Sequence, residues 1–162
     1  MRLLMNTSRL SILFGFLCLF LSCQTPGGGT YIDIGIDISL VDQHGQNLFA
    51  PTGPITKNDI TISYIIDGKE SVYYEPHLDA AKGFRFIDDK TIRIMPNTDK
   101  KEAFPITIIK FGNFNADVIK CEVERKRGNA YTSIVKVWHN DVLKYDVKNG
   151  LYSQMRAMTI VK

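Results

Sequence analysis

Three histidines, three cysteines and a single tryptophan are the residues of this 162-residue chain with the most chemistry to offer. His44, His77 and His139 are spread far apart, and none forms a His-x-x-x-His pair, nor any cysteines a Cys-x-x-Cys pair. Zinc needs three or four such ligands converging, so the spacing supports no zinc site. The stretch Asp42-Gln43-His44-Gly45-Gln46-Asn47 carries hard-oxygen side chains. A calcium loop requires acids at alternate positions and a closing Glu, which are absent. A turn shaped by Asp and Gly is expected there instead. Asp33 and Asp37 share one strand face and read as solvated charges rather than a metal or acid–base pair. No Gly-x-Ser-x-Gly elbow is present, and no carboxylate pair is marked out for glycoside hydrolysis. We expect no enzyme, no metal and no cofactor.

Cys121 alternates with Ile119 and Val123 against Lys120, Glu122 and Glu124. That parity puts the thiol in the core as a small hydrophobe. A nucleophilic Cys needs an activating base or cation, and no neighbour in the sequence supplies one.

Binding chemistry has better candidates, because aromatic rings with polar neighbours stack on sugars or anchor protein contacts. One cluster is Tyr73, Tyr74 and His77. Tyr74 shares parity with Val72, so Tyr73 is expected to be the exposed ring. The other is Trp138 and His139 beside an Asn140-Asp141 turn. Trp138 alternates with Ile134 and Lys136, which leaves a core anchor and an exposed ring both open. Arg125-Lys126-Arg127 is expected to be a solvated strand end, with a contact to acidic headgroups or a partner as the sharper reading.

These residues sit on short strands. Tyr31 to Val41 alternates throughout, with Ile32, Ile34, Ile36, Ile38 and Leu40 opposite Asp33, Gly35, Asp37 and Ser39. That is the period-two signature of one long strand. Further strands are expected at 60–66, 70–75, 84–87, 91–95, 105–111, 117–125, 131–139, 142–147 and 155–161. Asp67-Gly68, Asp88-Asp89-Lys90, Gly112–Asn115, Gly128-Asn129, Asn140-Asp141 and Asn149-Gly150 punctuate them as turns. Only Pro76 to Lys82 has room for a helix. Regularly spaced short strands predict an all-β antiparallel Ig-like sandwich of about eight to ten strands. Antiparallel pairing is expected because short connections leave no room for crossovers.

The N-terminal segment differs from the rest. Arg2 and Arg9 precede an uncharged apolar run, Leu10 to Leu21. Its length fits the apolar core of a signal peptide, about 7–15 residues, and falls short of the roughly 20 that span a bilayer. Phe20-Leu21-Ser22-Cys23 follows, then Gln24-Thr25-Pro26-Gly27-Gly28-Gly29-Thr30, a composition suited to a flexible tether. These residues resemble the lipobox and tether of bacterial lipoproteins, although Phe20 and Leu21 stand where that family usually has Leu and a small residue. Together with the long alternating first strand and the late Asn-Asp hairpin, the chain resembles small Ig-like lipoproteins of Gram-negative gut bacteria. The resemblance implies cleavage before Cys23, lipidation of Cys23 and a membrane partner through that anchor. Gln24 in place of an Asp implies the outer membrane, and the lack of an acidic run after Cys23 leaves the periplasmic leaflet favoured. The likeness is architectural and transfers no catalytic residue.

The expected division is therefore 1–22 signal peptide, 23–30 lipidated Cys and tether, and 31–162 sandwich domain. Removing 1–22 takes two basic residues and no acid, so 20 basic residues become 18 against 17 acidic, a net of +1. No basic bias for nucleic acid survives. The functional expectation is a non-catalytic binding or accessory module contacting another envelope protein. A carbohydrate-binding module using exposed aromatics is the alternative, and a small envelope hydrolase the remote one.

Overall fold

The computed structural model describes residues 29–126, 130–149 and 156–162. The expected signal peptide, Cys23, most of the tether, Arg127, and the Gly128-Asn129 turn lie outside them. Among the described residues eleven strands follow one another: β1 Tyr31–Asp33, β2 Ile36–Val41, β3 Ile60–Ile66, β4 Lys69–Val72, β5 Phe84–Asp88, β6 Thr91–Ile94, β7 Ile106–Phe111, β8 Asp117–Lys126, β9 Tyr131–His139, β10 Val142–Asp146 and β11 Ala157–Val161. They build an all-β sandwich of two sheets. The larger runs β1-β9-β8-β7-β3-β4, with β10 beside β1 on the same edge of β9; the smaller runs β11-β2-β6-β5.

The turns follow the local sequence. Asp67 and Gly68 take φ of 50° and 74°, and Asn140 and Asp141 take 48° and 64°. Two successive positive φ values are what a tight hairpin with right-handed strand twist needs. Asp42 closes its own turn, its Oδ1 accepting from the amides of His44 and Gln46 at 2.8 Å each.

Three expectations are corrected. The first strand is two strands: β1 pairs with β9 in the larger sheet and β2 with β6 and β11 in the smaller. Alternation continues across the break, so the sequence pattern hides it. Gly35 permits the crossing, because a Cβ there would lie 2.8 Å from Cδ of Arg93. Pairing is mixed rather than antiparallel, since β1–β9 and β11–β2 are parallel. Those partners are far apart in sequence, so short connections place no limit on their direction. Pro76 to Lys82 forms turns and no helix; the one helical turn among the described residues is Lys57–Asp59.

Ile36, Ile38, Leu40, Phe49, Phe84, Ile92, Ile94, Ile109, Phe111, Ile119, Cys121 and Val137 fill the space between the sheets with no exposed surface to speak of. Each fully buried aliphatic or Phe side chain contributes about 1.5–3 kcal/mol of transfer free energy. Cys121 is among them, as its parity predicts. Burial pushes its thiol up to about 12, so no reactive thiolate forms there near neutral pH. A bulge lies where Glu122 faces Lys136 but Val123 faces Ile134. The extra residue, Val135, resets the alternation. Ile134 and Val137 both reach the core, while Lys136 and Trp138 turn outward.

Candidate functional site

The tyrosine cluster is inverted relative to expectation. Val72 pairs with Ser63, whose neighbours Ile62 and Tyr64 point inward, and the Tyr73 amide donates to Ile62 O at 2.9 Å. Register with β3 therefore turns Tyr73 inward, its ring 4.7 Å from that of Tyr64. Tyr74 and Val72 are the exposed pair, at 62% and 65%. Partial burial raises the Tyr73 hydroxyl above its ordinary value, with Glu75 adding to it. Tyr64 is raised more strongly by burial, and its hydroxyl donates to Met95 O at 2.5 Å. His77 is exposed on the loop that follows Tyr74.

Trp138 and His139 diverge. Trp138 lies half-buried on the outer face of the larger sheet. Lys120 Nζ sits 5.4 Å and Lys136 Nζ 5.9 Å from its ring centre, and Phe104 meets it edge-on at 5.8 Å. A hydrogen bond to Glu122 at 2.8 Å raises the Lys136 pKa. The indole is thus occupied by cation–π and aromatic contacts, each worth about 0.5–1 kcal/mol when exposed. His139 faces the other way. Its Nε2 lies 2.8 Å from Oδ1 of Asp117, which is 2% exposed. Lys162 Nζ lies 2.7 Å from Oδ2, an ion pair whose direction departs from hydrogen-bond geometry. Asp117 therefore ties both His139 beside the β9–β10 turn and Lys162 to the start of β8. Arg125 is no free strand end either, since its guanidinium donates to Thr98 O at 2.7 Å and Asp99 O at 3.1 Å.

Two surfaces emerge that single residues did not announce. On the outer face of the larger sheet, Val72, Ser63, Ile108 and Val118 form a row across β4, β3, β7 and β8. Beside it, Lys120, Trp138 and Leu143 form a second row across β8, β9 and β10. Val72, Val118, Leu143 and Phe104 all remain exposed. A shallow groove of about 560 Å³ follows the first row, flanked by Glu70, Lys110 and Phe114.

The smaller sheet has a charged outer row instead. Asp37, Arg93 and Arg85 face one another across β2, β6 and β5. Arg93 grips Asp37 through two bonds of 2.6 and 2.8 Å, the bidentate geometry that makes such pairs strong. Asp37 is 6% exposed, which corrects its reading as a solvated charge. Its bonds to Arg93 hold the arginine charged. Asp33 is partly exposed and bonded to Arg156. Arg156 also donates to Gly35 O at 3.0 Å and Ile134 O at 3.2 Å. It plugs the gap on the β9 edge between β1 and β10. These residues line a cavity of about 400 Å³ with Ile32, Ile34, Met95 and Tyr145. Ile34 and Met95 also border a neighbouring depression of about 460 Å³ that contains Tyr73 and Leu78.

Among the described residues no three His, Cys, Asp or Glu side chains come together as metal ligands. Comparison with known proteins gives no matching family model, no matching curated protein and no matching solved structure. The fold itself sets the class, an all-β sandwich of two mixed sheets.

The sequence carried a signal for the first row in Val72 of β4, Ile108 of β7 and Val118 of β8, but only the register aligns them. The charged row had no such signal. Arg85, Arg93 and Arg156 are scattered singly along the chain.

Proposed function

We propose that this chain is an outer-membrane lipoprotein, cut before Cys23 and held there by acyl chains, whose sandwich is a non-catalytic module that binds another protein of the cell envelope. The observation that carries the binding role is the row Val72–Ser63–Ile108–Val118, apolar at three of its four positions, with its groove. Apolar side chains gathered on one sheet face are the usual mark of an interaction surface. The anchor rests on the Leu10–Leu21 run, Ser22-Cys23 and the Gly-rich tether. More than one buried acyl chain makes such anchoring stable, at about 0.8 kcal/mol per CH₂. By the resemblance to lipoproteins, Gln24 after the Cys favours the outer membrane, and the lack of an acidic run after it favours the periplasmic leaflet.

The test is photo-crosslinking in intact cells from a probe at Val118, with a probe at exposed Thr159 on the opposite sheet as control. A discrete protein adduct at Val118 and none at Thr159 is expected; equal labelling from both positions would sink the assignment. The anchor has a separate test, the intact mass of membrane-extracted protein, which should equal the chain from Cys23 plus acyl groups. A carbohydrate-binding role keeps one observation in its favour, the exposure of Tyr74. The ring contacts of Tyr73 and Trp138 count against a shared sugar platform.

A further inference from the structure

We infer that the cavity at the β1–β2 crossing is a binding site for a small carboxylate ligand, seated between Arg85 and Arg93. The cavity wall carries three arginines, Arg85, Arg93 and Arg156, and two aspartates, Asp33 and Asp37. Four of these charges are matched. Arg93 gives Nε and Nη2 to Asp37. Arg156 gives its guanidinium to Asp33, Gly35 O and Ile134 O. Arg85 forms no ion pair among the described residues, and Nη1 of Arg93 donates to none of them. Yet the two arginines stand directly opposite on neighbouring strands. Like charges in that position repel. An anion between them reverses the sign of the interaction.

The geometry is held in place rather than incidental. Asp37 fixes the guanidinium of Arg93, and Gly35 leaves space for the arginine stem, since any Cβ would collide with it. The surplus is one positive charge, which suits a monoanion. A phosphate monoester carries close to two negative charges near pH 7 and would leave one uncompensated beside Asp33 and Asp37. A guanidinium fork matches the planar carboxylate. Ile32, Ile34 and Met95 supply apolar walls, and Tyr145 already holds Arg156 at 5.7 Å from its ring centre. About 400 Å³ is within the range of small-molecule sites and fits one amino-acid or one sugar acid.

The inference is independent of the apolar face and of the lipid anchor. Its test is a titration of the isotope-labelled protein, in the form the cell produces, with N-acetylalanine, glucuronate and inorganic phosphate in separate experiments. The arginine Nε–H resonances are followed. At least one carboxylate should shift Arg85 and Arg93 with a dissociation constant on the order of 1 mM. Arg85→Gln should weaken it at least tenfold, and this exposed substitution leaves the Arg93–Asp37 pair in place. The preferred carboxylate then says whether the acid is borne on an amino acid or a sugar. No shift with either carboxylate, phosphate binding as tightly as the better one, or unchanged binding in Arg85→Gln would each overturn the assignment.

Discussion

The two outer faces of the sandwich solve opposite problems. The smaller sheet turns the charged row Asp37–Arg93–Arg85 outward and pairs Asp37 with Arg93 inside it, while Asp33 on β1 pairs with Arg156. The larger sheet turns outward the apolar side chains of Val72, Ile108 and Val118, and no described residue covers Val72 or Val118. On one face most of the exposed chemistry is part of the fold, and Arg85 alone is left over for the proposed carboxylate. On the other it is available for use. The difference shows that polarity alone does not mark a working surface. What matters is whether the groups there already have partners.

The contrast can be broken from the charged side first. Asp37→Ala leaves Arg93 without its counter-ion at the β1–β2 crossing. Removing one partner of a buried pair costs about 3–5 kcal/mol, and the partial exposure of Arg93 reduces that to about 2 kcal/mol. Thermal unfolding should fall by about 4–8 °C; a shift under about 1 °C would mean the charged row is as dispensable as ordinary surface. The space between the faces gives a pH prediction. The folded Cys121 thiol keeps its proton up to about 12, above its ordinary 9.0. Its contribution is thus complete below pH 9 and is lost as pH rises from there towards 12. Buried Tyr64, also raised, acts in the same direction. Chemical denaturation should show stability declining above pH 9, and Cys121 should react with a thiol reagent only as the protein unfolds.

On the larger sheet the expected effects on folding are smaller. Trp138→Ala removes the contacts of Phe104, Lys120 and Lys136 and should cost about 1 kcal/mol. Val72→Asp should change stability by no more than about 0.5 kcal/mol, as for surface positions without a structural role, while abolishing the adduct from the probe at Val118. A large loss of stability in Val72→Asp would place the apolar row in the fold and erase the contrast between the faces.

Particular residues show where reading the sequence succeeds and fails. Asp67-Gly68 and Asn140-Asp141 are legible as hairpins because turn chemistry is local. The inward placement of Ile119 and Cys121 is legible because both belong to one uninterrupted pleat. Tyr73 and Tyr74 are exchanged because their parity depends on β3, to which β4 is registered. Trp138 is ambiguous in sequence because the bulge at Val135 shifts the alternation midway along β9. Asp37 looks solvated because its partner Arg93 lies 56 residues away.

The sequence by itself determined the all-β class, the turns among the described residues, most of the core and the distinct composition of the N-terminal segment. Periodicity and turn propensities act over a few residues and need no partner. Only the tertiary structure decided that the first alternating run divides between two sheets. It alone chose parallel partners for β1 and β2, and it alone brought Arg85, Arg93 and Arg156 to one cavity. Those outcomes depend on which distant strands pair and in what register. That is set by the collective burial of both sheets against each other, a quantity no local pattern contains.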